Sequence, residues 1–139
     1  MRFLVDANVL SEATKTAPNE GVLHWLSENE QDFAIDPIIL GEIEFGISLL
    51  PPGRRRLKLE SWFAQGVMRI RCLPWTLASG RRWAKLLGEL RSEGRVMPIK
   101  DSQIAATALV HGLTVVTRNR KDFEKAGLAV LDPFSGRNR

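Results

Sequence analysis

Four carboxylates stand where the chain passes from one element to the next. Asp6 closes the apolar run Phe3-Leu4-Val5. Glu42 lies on a helical pattern opening at Pro37, and spacings of three and four put it on one stripe with Ile38, Ile39, Phe45 and Gly46. Asp101 stands where Ile104, Ala105, Ala108 and Leu109 begin a narrow apolar helical face. Asp122 follows the strand-like run Leu113-Thr114-Val115-Val116-Thr117. Drawn together, such acids repel and raise one another's pKa values as coupled groups. A divalent cation removes that penalty, and oxygen ligands without His or Cys favour Mg²⁺ or Mn²⁺. A metal of this kind acidifies water and neutralises charge on a reacting phosphate. Hydrolysis of a phosphodiester needs both.

Each acid also has an ordinary explanation. Asp is a preferred N-cap, which accounts for Asp6 ahead of a short helix near Asn8 and for Asp101 at the start of its own helix. Asp122 and its rival Glu124 sit in a basic run, where a surface pair with Arg120 or Lys125 is worth little. Glu44 points toward Leu40, Gly41 and Ser48 and reads as solvated. Glu42 resists this treatment, because a carboxylate on a core-facing stripe is costly unless something positive pairs with it.

The elements that must position these acids alternate. Strands are expected at Phe3–Val5, Phe33–Ile35, Leu113–Thr117 and Ala129–Leu131, with a further edge strand over Arg69–Leu73 closed by Pro74. Helices are expected over Asn19–Asn29, Pro37–Leu50 (Asp36 capping, proline first), from Arg54 onward, from Thr76 to Gly94, and from Asp101 to Gly112. In the Thr76 helix, Leu77, Trp83, Ala84, Leu87 and Leu90 are expected to face inward. Alternation of this kind predicts an α/β fold, a doubly wound parallel sheet flanked by helices, with functional groups beyond the carboxyl ends of its strands. One domain over residues 1–134 is expected, followed by a frayed basic tail at 135–139.

The bulk properties agree with an ordinary globular domain. The chain has 139 residues, 44% hydrophobic and 26% charged. No apolar run is long enough to cross a bilayer. Cys72 is the single cysteine and His24 and His111 the only histidines, which argues against a disulfide or a structural zinc site and predicts a cytoplasmic setting. A net charge of +4 suits a polyanion or an acidic protein partner.

The segments Leu4-Val5-Asp6-Ala7-Asn8-Val9-Leu10-Ser11-Glu12, Leu40-Gly41-Glu42-Ile43-Glu44-Phe45-Gly46-Ile47, Pro98 to Leu109, and Thr117-Arg118-Asn119 with Asp122-Phe123 resemble the PIN domain. The likeness is closest to the VapC-type toxins of toxin–antitoxin pairs, including the FitB-like branch, and it is weakest between Gly53 and Pro74. The resemblance implies an Mg²⁺- or Mn²⁺-dependent endoribonuclease cleaving RNA, frequently tRNA. It implies Asp6 and Asp101 as principal metal ligands, Glu42 completing the acidic cluster, and Asp122 as fourth member. Asn8, Thr117 and Asn119 match polar positions that orient the carboxylates or the substrate. A VapB- or FitA-type antitoxin, a homodimer and a higher-order complex on DNA are the implied partners.

Arg118, Arg120 and Lys121 adjoin the acids and are the expected phosphate contacts; farther basic residues read as solvated surface. Trp25 and Trp83 read as core rather than as base-stacking residues. Two other functions are compatible with an acid after the first strand. A phosphatase with an aspartyl nucleophile wants a second acid two residues on, and that position is Asn8. A non-catalytic module would use the same acidic pocket only to dock a basic peptide.

Overall fold

The computed structural model describes residues 1–135, so the basic tail expected at 135–139 lies, except for Ser135, outside the described residues. Phe3–Val5 forms β1, Phe33–Ala34 β2, Thr114–Val116 β3 and Val130–Leu131 β4. All pair in parallel in the order β2-β1-β3-β4. The central strands carry consecutive apolar residues because helices cover both faces of such a sheet. From β1 the chain goes out to β2, then returns past β1 to β3. The β1/β3 boundary is therefore the switch point, where a crevice opens beyond the carboxyl ends.

Between the strands run α1 (Ala7–Leu10), α2 (Glu20–Asn29), α3 (Pro37–Ser48), α4 (Arg54–Gln65), α5 (Leu77–Ser92), α6 (Ile99–His111) and α7 (Arg120–Glu124). Their starts follow from local chemistry. The side chains of Asn19 and Asp36 accept from the backbone N–H groups of Val22 and Ile39. Thr76 and Ser79 form a reciprocal capping box on α5. Gly112, at φ 65°, ends α6 in the left-handed conformation that a side chain would resist.

Four expectations need correction. The strand over Arg69–Leu73 is a single parallel bridge, Ile35 to Cys72. A 3₁₀ turn at Val67–Arg69 delivers the chain and Pro74 removes it, which leaves room for only two ladder bonds. On α5 the inward face is Ser79, Leu86 and Leu90 with Trp83 alongside, while Ala84 is exposed and Leu77 is 82% exposed. Trp83 sets that phase, because its indole N–H donates to Ser102 Oγ on α6 at 2.9 Å. On α3 the buried line is Ile39, Ile43 and Ile47, and Phe45 is 64% exposed. The helix is rotated so that Glu42 sits at the margin of the core instead of inside it, avoiding the cost of full desolvation. Finally, α6 is buried on more than one narrow face: Ile104 through Ala108 are all inaccessible. Its alanines allow it to lie between α5 and the sheet.

Candidate active site

Asp6 stands at the carboxyl end of β1, its N–H continuing the ladder to Val116. The ordinary capping role is real: Asp6 Oδ1 accepts from Ala7 N–H at 2.8 Å and starts α1. Its Oδ2 accepts from the Thr117 hydroxyl at 2.7 Å. Asn8 Nδ2 reaches the same oxygen at 3.4 Å, and Asn8 Oδ1 accepts from Arg118 N–H at 3.2 Å. Thr117 Oγ1 also accepts from Asn119 N–H at 3.0 Å. Asn8 and Thr117 thus hold the carboxylate by their side chains, whereas Asn119 contributes its backbone.

Asp101 does not cap α6. Pro98 occupies the cap position, which puts Asp101 in the first turn, buried and with no hydrogen bond to its carboxylate from any described residue. The acid is therefore free for the crevice. Glu42 approaches from α3 with a half-buried side chain. One oxygen, Oε2, lies 2.9 Å from Lys100 Nζ, and the other, Oε1, is buried with no hydrogen-bond partner among the described residues. Asp122 enters from α7, paired with Lys125 at 3.5 Å.

Electrostatics ties these acids together. Burial pushes the Asp6 pKa up to about 6; the Thr117 and Ala7 hydrogen bonds oppose it, and the negative charges of Glu42 and Asp101 add to it. Burial also raises Asp101, and Asp122 and Glu42 raise it further. Asp6, Glu42 and Asp101 thus form one field, with Asp122 joined through Asp101. Glu124 stays outside: it forms an exposed pair with Arg120 at 2.9 Å.

The fit to a divalent cation follows from the donors. Among the described residues no three groups stand together as a ready-made ligand set. Mg²⁺ does not require one, since it binds through one or two carboxylates and keeps several waters. An Asp101 carboxylate with no hydrogen-bond partner among the described residues, a buried orphaned oxygen on Glu42, and Asp6 raised first by burial and further by like charges are the groups a hard cation would relieve. The residues fit.

Two residues have roles that local sequence does not mark. Lys100 immediately precedes Asp101 and reaches Glu42. Asp36 is more than a cap: it is fully buried, accepts from Thr107 Oγ1 at 2.7 Å, and has its pKa raised by burial and by Glu42. Of the expected phosphate contacts, Arg118 lies 4.6 Å over the Phe134 ring and Arg120 is engaged by Glu124. Lys121 is exposed, with no ion pair among the described residues. Trp25 is core as expected, packed edge-on to Phe3 and stacked on Phe33.

The sequence profile described as "PIN domain" matches residues 3–128. The chain belongs to the PIN-domain family. Among the relatives of this PIN-domain chain, "VapC ribonuclease Y4jK" of Sinorhizobium fredii is 33% identical over 136 residues, covering 95% of this chain and 97% of that protein. "Toxin FitB" of Neisseria gonorrhoeae is also 33% identical, covering 95% and 98%. The solved "Structure of FitAB bound to IR36 DNA fragment" superposes with a TM-score of 0.89 at 31% identity, over 95% of each chain. The parallel α/β sheet flanked by helices that the resemblance implies is the one observed.

Proposed function

We propose that this PIN-domain chain is a divalent-metal-dependent endoribonuclease and the toxin of a toxin–antitoxin pair. One observation carries the reading: buried Asp6 just after β1, half-buried Glu42 on α3 and buried Asp101 on α6 act on one another electrostatically at the switch point of the sheet. Relatives named as a VapC ribonuclease and a FitB toxin support it. In this reading Asp6 and Asp101 hold Mg²⁺ or Mn²⁺, with Glu42 and Asp122 completing the site. When bound, the ion supplies charge compensation for the phosphodiester and a more acidic water. Thr117 and Asn8 fix the Asp6 carboxylate, so little reorganisation is needed as charge develops. Arg118 and Lys121, on the rim, steer the RNA backbone; Arg120 must first leave Glu124.

The substrate is single-stranded RNA or an exposed RNA loop, with tRNA the first class to try; a relative from Shigella flexneri, 28% identical, is named "tRNA(fMet)-specific endonuclease VapC". The likeness to the FitAB complex on DNA supports a VapB- or FitA-type antitoxin and assembly on DNA; homodimerisation is part of the same proposal. No helix among the described residues is long and apolar enough to cross a membrane, and we assign the chain to the cytoplasm.

The docking-module reading has one observation in its favour: Lys100 already lays an ammonium on Glu42, much as a basic peptide would. RNA cleavage separates the two. The purified chain, free of partner, should cut tRNA or total RNA with Mn²⁺ and not in EDTA, and Asp6→Asn should abolish the cut while the fold remains. Cleavage surviving in EDTA or in Asp6→Asn would overturn the nuclease assignment.

A further inference from the structure

The acidic crevice contains its own cation. Lys100 extends from α6 to place Nζ 2.9 Å from Glu42 Oε2 on α3. The other ion pairs near the site, Lys125–Asp122 and Arg120–Glu124, lie between residues three or four apart within or just beyond α7. The Lys100–Glu42 pair instead bridges two separate elements. It is also incomplete, because Glu42 Oε1 is buried with no donor among the described residues. The lysine side chain is 51% exposed and that of Glu42 31%, so the pair is partly open to solvent. Asp101, the next residue, and Asp6 both act on it with their charge.

Resting on the metal-dependent reading above, we propose that Lys100 is a tethered counter-ion holding the divalent cation's place against Glu42. It gives up that carboxylate when the metal binds and then faces the RNA backbone. The reasons are those of charge and reach. An ammonium and a divalent ion cannot both stay on one carboxylate without repelling. A lysine stem turns easily about its four carbons, whereas Asp6 is fixed by hydrogen bonds from Ala7 and Thr117. A phosphodiester brought to these carboxylates by a bound ion would carry negative charge into the reach of the Lys100 stem, replacing the charge that Glu42 supplies in its absence.

Lys100→Met keeps the stem and removes the charge, and its half-exposed position leaves the fold intact. Titration calorimetry with Mn²⁺ and no RNA should show binding about 3-fold tighter than in the parent chain, the scale of a partly exposed ion pair. At saturating Mn²⁺ the variant should show a raised KM for RNA with kcat less affected, and Lys100→Arg should restore KM. In a Glu42→Gln background the Mn²⁺ gain should vanish. Unchanged Mn²⁺ affinity with a lowered melting temperature makes the pair a structural clasp and overturns the proposal, as does an unchanged KM. Absence of Mn²⁺ binding in parent and variant alike overturns the metal reading itself, and this proposal with it.

Discussion

Thr117 Oγ1 donates to Asp6 Oδ2 at 2.7 Å, joining the carboxyl ends of β3 and β1 across the switch point of the sheet. The same oxygen accepts from Asn119 N–H, so one hydroxyl both fixes the acid and holds the turn into α7. Thr117→Val is nearly isosteric and removes both bonds. Asn119 is exposed and its N–H can turn to water, whereas leaving the buried Asp6 oxygen without this donor costs about 1–3 kcal/mol. The lost bond favours the ionised form of Asp6, so its pKa should rise further. Chemical denaturation at neutral and acid pH checks this: the deficit should shrink as Asp6 protonates.

The metal-free protein should be less stable at neutral pH than its packing allows. Asp6 has a folded pKa of about 6 against an ordinary 3.8. Between those values the folded state binds more protons than the unfolded one, so stability falls as pH rises through the window and stays low above it. Asp101, raised in the same direction, widens the window as part of one coupled titration. Asp6→Asn should therefore melt higher than the parent in EDTA at pH 7, by at most about 3 kcal/mol. Below about pH 4 the difference should disappear. The ceiling will not be reached, because the asparagine amide meets Thr117 Oγ1, which already accepts from Asn119.

Asp122 and Glu124 are two residues apart and should behave differently. Glu124 lies in an exposed pair with Arg120, so Glu124→Gln should change stability by less than ~0.5 kcal/mol and leave cleavage alone. Asp122 acts on Asp101, so Asp122→Asn should bring the Asp101 pKa down toward its ordinary range. It should also weaken Mn²⁺ binding by about 10-fold, the scale of losing a supporting group at a metal site. Equal effects of the two substitutions on Mn²⁺ affinity would leave the fourth acid unassigned.

The four strands and the placing of acids where elements meet were legible in the sequence because burial and capping leave local marks: apolar runs ending at acids, and Asp36-Pro37 opening a helix. The phase of α3 was not. Ile38, Ile39, Leu40, Ile43, Phe45 and Ile47 cover most of its circumference, so periodicity alone could not choose between the stripe through Phe45 and the observed line Ile39–Ile43–Ile47. On α5 the face depends on a bond from Trp83 to Ser102 of another helix, which no local pattern carries. Lys100 escaped for a similar reason. Its neighbour Asp101 was marked by position, but whether the lysine turns toward solvent or toward Glu42 is decided by where α3 lies. The failed strand at Arg69–Leu73 shows the limit from the other side, since its residues suit a strand and the 3₁₀ turn before them denies it length.

If Asp6, Glu42 and Asp101 act as one divalent-cation site that drives RNA hydrolysis, binding and cleavage must fail together. Mn²⁺ calorimetry on the parent chain, Asp6→Asn and Asp101→Asn, with RNA cleavage followed on the same samples, decides the matter. The parent should bind Mn²⁺ saturably, more strongly as pH rises through about 6, and each variant should lose both binding and cleavage while the fold is retained. Parent-like Mn²⁺ affinity or RNA cleavage in either variant would overturn the shared site.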